Sequence, residues 1–358
     1  MGGFNKVKYW LLISSFLLAL FGLIMVYSSS WIYSDYYYGN SYYLLLKQIV
    51  AAVIGVGVLV FFTYLNLDQL INYSMHLMAI FIFLTLVTLV PGLSTGGRWL
   101  DLGPLTFQPT EGLKFALILW TSLAIGELDE RLKDFGRGIV PFIIIMGFIS
   151  LLTLLQPDFG MTVLLIATVG FLLFVGGARL IDLGKVILLG VPLLGGLLVI
   201  EPYRLQRLIS FFGPGRDQLG TGYQITQSLI AFGSGGIFGK GLGQSVEKFL
   251  YLPAGYNDFI YAIVGEEFGF VGSLLVLSLF VALGFAGFKI AVSCESEVLS
   301  LVAAGITFVI CFQALLNFSV TLGLLPVTGL TLPFISYGGS SLIVSLAMIG
   351  TLLNIASR

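Results

Sequence analysis

The chain has 358 residues, of which 58% are hydrophobic and only 10% are charged. Soluble globular proteins carry about 25% charged residues, so this composition excludes a soluble protein and indicates an integral membrane protein. The net charge of −1 leaves no basic surface to neutralise phosphates, which argues against nucleic acid as a partner. We therefore predict an all-α polytopic membrane protein with membrane lipids as its surroundings.

Apolar stretches near the roughly 20 residues that a membrane helix needs recur along the chain. The first follows Lys6 and Lys8, and because no signal-peptide cleavage site comes after it, we expect it to be retained. We predict ten transmembrane helices in a single membrane domain, residues 1–358, with a large extracytoplasmic loop, 201–258, between helices 7 and 8. The predicted spans are 9–27, 44–64, 70–90, 112–126, 139–156, 160–176, 181–200, 259–289, 298–322 and 338–356.

Lys and Arg in the short connections predict the orientation, because cytoplasmic loops carry an excess of positive charge. With the N-terminus inside, the short outer connections contain only Arg98. The inner side collects Lys6, Lys8, Arg131, Lys133, Arg137, Arg179, Lys185, Lys289 and Arg358. Both termini are therefore expected in the cytoplasm, and four connections face outward together: 28–43, 91–111, 201–258 and 323–337.

Charged residues at the start of the fourth and sixth spans each allow two interpretations. Glu111 and Lys114 lie three residues apart on one helical face, where they can pair. Since an intramembrane charge costs roughly 2.5–3.5 kcal/mol, the pair either fixes helix packing or lines a cavity. Asp158, in the string QPDFG, either caps the next helix or takes part in chemistry.

The 201–258 loop contains two distinct basic stretches. YRLQRLISFF puts Arg204 and Arg207 on one side of a short amphipathic helix suited to the membrane interface. GSGGIFGKGLGQS departs from the nucleotide-binding P-loop at two positions, so we expect no nucleotide or organic cofactor. Its glycines, beside Lys240 and Lys248, form either an anion nest for a lipid phosphate or a merely flexible loop.

The stretch 251–269, YLPAGYNDFIYAIVGEEFG, places Asp258, Glu266 and Glu267 at or inside a membrane boundary. An apolar setting would raise the pKa of Asp258 towards the range of a general base, but an Asp before a helix also serves as an N-cap. The next connection, LLPVTGLTLPFISYGGSS, is predicted as a re-entrant segment, which requires burial in protein or a cavity to line.

Five strings now carry a resemblance across nearly the whole chain: GRW…G…QPTE..K, QPDFG, GYQ..QSLIAFGSGG..GKGLG, YLP….DFIYAIVGEEFG..G and LPVTGLTLPFISYGGSS. In this order they resemble the SEDS family (shape, elongation, division and sporulation). SVEKFLYLP looks more like its FtsW-like branch than its RodA-like branch, although Glu247 stands where that branch has Gln. The family's P-E-x-x-T-D-F pattern maps its essential carboxylate onto Asp258, with Ala254 and Asn257 in place of Glu and Thr.

The resemblance implies a peptidoglycan glycosyltransferase of the bacterial cytoplasmic (inner) membrane with its active site on the extracytoplasmic face. Such an enzyme polymerises lipid II, an undecaprenyl-pyrophosphate-linked disaccharide peptide, during division or elongation, with a class B penicillin-binding protein transpeptidase as partner. Inverting transfer would use Asp258 as general base. The candidate ligands of the departing pyrophosphate are Arg98, Arg204, Arg207, Lys240 and Lys248. Cavity-supporting roles fall to Glu111, Lys114, Glu266, Glu267 and Ser336.

Three points stay open in the sequence. A divalent cation, Mg or Mn, is implied by the resemblance, but no protein metal cage is spelled out. Glu266 and Glu267 either shape the cavity or pair with Lys114. The rival function is a lipid II flippase or other polytopic lipid transporter, and a third is a scaffold without chemistry; neither explains a large outer loop that ends in a carboxylate.

Overall fold

The computed structural model describes residues 2–101, 103, 106–200, 202–213 and 220–358, without the side chains of residues 2–5, 191, 193–194, 197–200, 202–204 and 208. It is almost entirely helical. The helices are α1 Gly2–Tyr38, α2 Tyr43–Tyr64, α3 Leu67–Asn72, α4 Ser74–Thr88, α5 Pro109–Leu128, α6 Val140–Leu155, α7 Phe159–Val175, α8 Leu180–Ile200, α9 Pro202–Phe212, α10 Thr221–Gly235, α11 Ile260–Ser293, α12 Glu297–Thr321 and α13 Gly339–Ile355. One short antiparallel pair, β1 Leu100–Asp101 with β2 Thr106–Phe107, lies between α4 and α5.

Apolar helices dominate the described part of the chain. Five are long and apolar enough to cross a membrane: Lys6–Tyr38, Tyr43–Tyr64, Phe135–Leu155, Ile260–Ser293 and Glu297–Thr321. Three shorter apolar helices are Ser74–Thr88, Phe159–Val175 and Gly339–Ile355. Nine of the ten stretches predicted as spans each coincide with one helix, whereas 70–90 is divided at Tyr73 between α3 and α4. The predicted amphipathic YRLQRLISFF lies within α9.

The helices pack around α12, which contacts α5, α7, α11 and α13. The most extensive contact between two of the described helices joins α2 and α13, where small residues allow close approach. A side-chain carbon on Gly350 of α13 would clash with the Leu59 carbonyl of α2. Close backbone approach through small residues is how helices associate in a lipid environment, where the surroundings are as apolar as the helix faces.

Both termini lie at one end of the helix bundle. Lys8 donates to the hydroxyl of Ser357 at 3.1 Å, and Arg358 forms an ion pair with Asp68 at 2.8 Å. Connections predicted to face outward contact one another elsewhere in the fold. The ring of Tyr33 lies 4.8 Å from that of Tyr256, whose carbonyl accepts the amide hydrogen of Tyr337 at 3.1 Å. These contacts gather the ends of α1, the loop before α11 and the segment before α13 into one region.

Helix α11 is broken at Gly269, where the backbone has φ 65° and ψ −159°. This left-handed φ favours glycine because other residues carry a Cβ that is strained there. The break separates a short half-helix, 260–268, from the long remainder of α11. The half-helix begins two residues after Asp258, so it connects the break to the segment that carries this carboxylate.

Candidate functional site

The segment that carries Asp258 is held by three hydrogen bonds from the C-terminal part of the chain. The amide of Tyr337 donates to Tyr256, and the hydroxyl of Ser336 donates to the Asn257 carbonyl at 2.7 Å. From α12, the side-chain amide of Asn317 donates to the carbonyl of Asp258 at 2.8 Å. The backbone of three consecutive residues is thereby fixed. Ser336, expected to support a cavity, is placed as a support of this segment.

The same polar side chains order the segment between α12 and α13, which is non-helical and largely buried in protein. Asn317 donates a second hydrogen bond to the Leu330 carbonyl at 2.8 Å, and Gln313 donates to the Thr331 carbonyl at 2.9 Å. From α2, Gln48 donates to the carbonyl of Ser336 at 3.3 Å. The burial required of a re-entrant backbone is met here, because helix side chains pair its carbonyls.

The carboxyl group of Asp258 does not cap α11. Phe259 is the residue before that helix, and no side chain caps the helix end. The Asp258 side chain is partly buried, and within the described residues its Oδ1 is buried without a hydrogen-bond partner. Burial raises the pKa of this carboxyl to about 6; the charge of Asp158 adds to the rise, while Arg207 and Arg98 oppose it. A carboxylate with this pKa is suited to accept a proton near neutral pH.

Asp158 caps α7, which was one of its two interpretations. Its Oδ1 accepts the amide hydrogen of Met161 at 3.1 Å, and its Oδ2 lies 3.8 Å from Arg98 Nη1. Gln108 donates to the same Oδ2 at 3.3 Å. Burial raises the pKa of Asp158, with Arg98 opposing the rise. Asp158 therefore has two roles: it caps the first turn of α7, and its negative charge acts on Asp258.

Two of the three predicted arginines lie at the site. Arg98 donates through Nε to the Gln156 carbonyl at 2.6 Å and through Nη2 to the Pro157 carbonyl. Arg207 of α9 donates through Nη1 to the Val327 carbonyl at 3.0 Å. Both guanidinium charges act on Asp258 and Asp158. The predicted role of Arg204 cannot be placed, because its side chain lies outside the described residues.

Glu111 and Lys114 form a buried ion pair near the start of α5. The two side chains are 4% and 3% exposed, and Lys114 Nζ lies 2.7 Å from Glu111 Oε2. Lys114 also donates to Gln313 of α12 at 2.8 Å. The charge of Glu111 acts on Asp158, which places this pair near the carboxylate site. Glu266 and Glu267 are therefore not the partners of Lys114.

Glu266 and Glu267 instead bind the two lysines that we had expected at a pyrophosphate. Lys240 Nζ lies 2.7 Å from Glu266 Oε1, and Lys248 Nζ lies 3.0 Å from Glu267 Oε1. The Lys248 and Glu267 side chains are 1% and 0% exposed. A buried ammonium that already neutralises a carboxylate is not available to a ligand, so the assignment of Lys248 is corrected. Lys240, although 32% exposed, is likewise committed to Glu266.

Of the two interpretations of the glycine-rich stretch, an anion nest or a flexible loop, the nest loses two of its amide donors to α11. The amide hydrogens of Lys240 and Gly241 donate to the carbonyls of Glu266 and Glu267 at 3.0 and 2.9 Å. Those carbonyls lie beside the break in α11, where the helix leaves them without their usual partners. Glycine is needed because a Cβ on Gly239 would clash with the Glu267 carbonyl. Close backbone approach therefore explains Gly239, and also Gly235, whose Cβ would clash with the Gly265 carbonyl.

Side chains and backbone amides of the loop converge on the two glutamates. Ser28 of α1 donates to Glu267 at 2.7 Å, while Ser245 donates through its hydroxyl to Glu266 at 2.5 Å. The amide of Val246 donates to Glu266 at 2.9 Å. We call Ser28, Lys240, Ser245, Lys248, Glu266 and Glu267 the glutamate–lysine cluster. It ties the loop to α1 and to the half-helix 260–268 of α11.

Sequence reasoning missed several residues of this region. Ser28 and Ser245 had no assigned role, and Asn317 and Gln313 were overlooked within an apolar span. A usable signal existed for the last two, because polar side chains inside membrane helices face the protein interior and pair there. No comparable signal marked Ser28, whose partner lies 239 positions away.

The described residues contain no group of three or more His, Cys, Asp or Glu side chains that could hold a metal ion. Oxygen donors are nevertheless present at Asp258. Within the described chain, the Oδ1 atoms of Asn257, Asp258 and Asn317 are all buried without a hydrogen-bond partner. Mg²⁺ takes oxygen ligands and usually binds through one or two carboxylates plus substrate phosphates. The donor set fits that kind of incomplete site and does not fit an all-protein cage.

Comparisons with known proteins cover nearly the full chain. A family model described as "cell cycle protein", FTSW_RODA_SPOVE, matches residues 9–358. Stage V sporulation protein E of Bacillus subtilis is 41% identical, over 97% of this chain and 96% of its own length. A probable peptidoglycan glycosyltransferase FtsW of Legionella pneumophila is 40% identical, over 97% and 90%.

Solved structures agree with the sequence matches. A chain from a peptidoglycan synthase complex, described as coordinating polymerization and crosslinking, superposes with a TM-score of 0.79 at 27% identity, covering 98% of this chain and 97% of that one. The rod shape determining protein RodA of Thermus thermophilus superposes with a TM-score of 0.68 at 27% identity, covering 97% and 95%. The chain therefore belongs to the FtsW, RodA and SpoVE family, the SEDS family, and is FtsW-like within it.

Proposed function

We propose that this protein is a peptidoglycan glycosyltransferase that polymerises lipid II into glycan strands during bacterial cell division or elongation. FtsW relatives at 34–41% identity over nearly the full chain are named probable peptidoglycan glycosyltransferases. The observation that carries the proposal is Asp258. Among the described residues its buried Oδ1 has no hydrogen-bond partner, and its pKa of about 6 suits a general base. Two arginines lie close enough to act on its charge.

The proposed reaction is a single inverting displacement. Asp258 accepts the proton of the acceptor sugar's 4-hydroxyl while that oxygen attacks the anomeric carbon of the donor and the pyrophosphate departs. One base opposite one leaving group suffices for inversion, by the same geometric logic as in glycosidases. General-base catalysis of this kind contributes about 10²- to 10⁴-fold to the rate.

Arg98 and Arg207 are proposed to stabilise the departing pyrophosphate. Arg98 donates to the Gln156 carbonyl and lies 3.8 Å from Asp158, and Arg207 donates to the Val327 carbonyl. These contacts fix the positions of both guanidinium groups beside Asp258. Arginine suits this role because its planar donors match phosphate oxygens. A divalent cation at Asp258 and the substrate phosphates would supply further charge neutralisation.

The lipid tail of the substrate has an apolar cavity available. A cavity of about 380 Å³ lies between α1, α2 and the glycine-rich stretch, with Leu23, Ile24, Tyr27, Trp31, Leu45 and Leu242 among its lining residues. Ser28 of the glutamate–lysine cluster also lines it. We propose that the isoprenoid chain of lipid II occupies this apolar space while its sugars lie at the level of Asp258.

The proposed topology has ten transmembrane helices, with both termini in the cytoplasm and the 201–258 loop outside. It is supported by the coincidence of nine of the ten predicted spans with single helices and by the meeting of the two termini at one end. Bacterial cytoplasmic membrane is the proposed location. The proposed partner is a class B penicillin-binding protein, because a similar chain occurs in a complex described as joining polymerization to crosslinking.

The test is polymerisation of lipid II by the purified full chain, alone and with its transpeptidase. Wild type should form glycan polymer, and Asp258→Asn should form none. Asp101→Asn, an exposed carboxylate of the same outer region, is the matched control and should retain activity. Normal polymerisation by Asp258→Asn would overturn the base assignment. Movement of labelled lipid II across liposomes without polymer under any condition would instead establish a flippase.

A further inference from the structure

The outer end of α1 and the start of α2 carry an exposed cluster of tyrosines that the proposed reaction does not use. We call Tyr33, Tyr36, Tyr37, Tyr38 and Tyr43 the tyrosine platform. Tyr36 and Tyr37 are 73% and 59% exposed, with ring centroids 5.0 Å apart. Tyr38 stacks on Tyr43 at 4.1 Å, and Tyr33 lies 4.5 Å from Tyr37. The rings therefore form one connected aromatic surface that is open on one side.

The part of the platform on α1 extends beyond the hydrocarbon region, whereas Tyr43 lies near the outer boundary, next to Tyr42, whose ring is 5.3 Å from that of Tyr27. α1 has 37 residues, so at 1.5 Å per residue it is about 55 Å long, against about 30 Å for the apolar core of a bilayer. If Lys8 marks the inner boundary, about 20 residues bring the helix to the outer boundary near Ser28. Tyr36 and Tyr38 are then roughly 12–15 Å further out. An interfacial aromatic belt belongs at the boundary itself, a position that Tyr27 and Trp31 occupy.

The platform is continuous with the segment that carries Asp258. The ring of Tyr33 lies 4.8 Å from that of Tyr256, two residues before the carboxylate. Tyr256 in turn lies 6.0 Å from Tyr337, whose amide holds the same segment. An aromatic path thus runs from the site outward to the water-exposed end of α1.

The chemistry of the platform matches sugar rings. One face of a pyranose presents C–H groups to the negative face of an aromatic ring, and tyrosine offers such faces with little side-chain entropy to lose. Polar groups at the edge can bind hydroxyl and amide groups: Asp35 is exposed and accepts from Ser41 at 3.0 Å, and Lys47 Nζ lies 4.8 Å from the Tyr43 ring centroid. Open stacked rings with a polar edge fit a hydrophilic chain of rings better than a lipid tail.

We propose that the tyrosine platform binds the growing glycan strand, by stacking on its N-acetylated pyranose rings as they leave the site. The inference rests on the proposed polymerase function and assigns it a product subsite. A strand retained here would be extended again before release, so the platform would control the length of the glycan and leave formation of each bond to Asp258.

The experiment compares Tyr36→Ala/Tyr37→Ala with Tyr64→Ala/Tyr73→Ala in the full chain. The control removes two tyrosines that are 84% and 64% exposed but lie on α2 and beside α3, at the opposite end of α2 from the platform. Binding of a soluble β-1,4-linked N-acetylglucosamine hexasaccharide is measured in the Asp258→Asn background, where turnover is absent. Glycan length and initial rate are measured in otherwise wild-type protein supplied with lipid II.

The platform variant should bind the hexasaccharide about tenfold more weakly, equivalent to about 1.4 kcal/mol, and should produce glycan several-fold shorter at an unchanged initial rate. The control should match its parent in every measurement. Unchanged hexasaccharide affinity would overturn the proposal. If the variant then lost binding of the transpeptidase or contact with brominated lipids, the tyrosines would serve that partner or the membrane instead. Hexasaccharide binding that depends on Tyr36 and Tyr37, in a protein that makes no polymer, would support the platform and reject the polymerase function.

Discussion

Removal of Lys248 tests whether the buried glutamate–lysine cluster holds the loop in place. Lys248 Nζ lies 3.0 Å from Glu267 Oε1, and neither side chain is more than 1% exposed. At an effective dielectric constant of about 20, this separation corresponds to an attraction of about 5.5 kcal/mol. Lys248→Met leaves the Glu267 carboxylate buried with only hydrogen bonds from Ser28 and the Ser245 amide. We expect a loss of about 3–5 kcal/mol in the free energy of unfolding.

The double variant gives the sharper result. Glu267→Gln alone strands the buried ammonium of Lys248 and should cost a similar amount. Lys248→Met/Glu267→Gln removes both charges, and its glutamine keeps a carbonyl that can accept from Ser28. The double variant should therefore be more stable than either single variant, since replacing a whole buried pair is often close to neutral.

The assay is unfolding of the detergent-solubilised chain by titration with SDS, followed by tryptophan fluorescence. Lys133→Met is the control, because its ion pair with Glu130 is solvent-exposed, with side chains 49% and 78% exposed. An exposed pair contributes about 0–1 kcal/mol, so this variant should unfold with wild type. Losses that simply add in the double variant would refute the claim that Lys248 and Glu267 act as a pair.

Three further predictions follow from the site and the helix break. Polymerisation should rise with pH through about 6, the pKa of Asp258, because the base must be ionised; a rate independent of pH between 5 and 8 would contradict this. The rise from 3.8 to about 6 corresponds to roughly 3 kcal/mol of destabilisation, which develops between these pH values and is fully present above the higher one. Asp258→Asn should therefore stabilise the fold at pH 7.5 while abolishing activity, and thermal melts should show no such gain below pH 4. Gly269→Ala combines a φ of 65° with a Cβ 2.6 Å from the Ile237 carbonyl, so the melting temperature and the activity should both fall. Gly147→Ala is the control and should change neither, because its Cβ meets nothing within 4 Å.

Composition and hydropathy were sufficient to predict the helical membrane fold, because apolar runs of membrane-spanning length leave few alternatives. The ends of the helices were harder to predict. The first span was expected to stop at residue 27, yet α1 continues to Tyr38. Serines and tyrosines lower the hydropathy of that last part without preventing a helix. Hydropathy reports where lipid contact ends, and a helix can extend into water beyond that point.

The candidate site was predictable only in part. The position of Asp258 was recognised from a motif, and the pairing of Glu111 with Lys114 followed from helical spacing. The partners of Glu266 and Glu267 could not be predicted in this way, because Lys240 and Lys248 lie in an irregular glycine-rich stretch to which no periodicity applies. Counting Lys240 and Lys248 as free cations ignored the cost of leaving the two buried glutamates unpaired.

The glutamate–lysine cluster has a consequence for how the chain enters the membrane. Its four charged residues lie between positions 240 and 267, and the paired residues are 26 and 19 positions apart. Each charge would cost about 2.5–3.5 kcal/mol if it entered the bilayer alone. Because both ion pairs form within one short stretch, the four charges of the cluster can cancel as two pairs during synthesis. Ser28, already in place on the first helix, then receives it, so early and late parts of the polypeptide are joined before the final helices arrive.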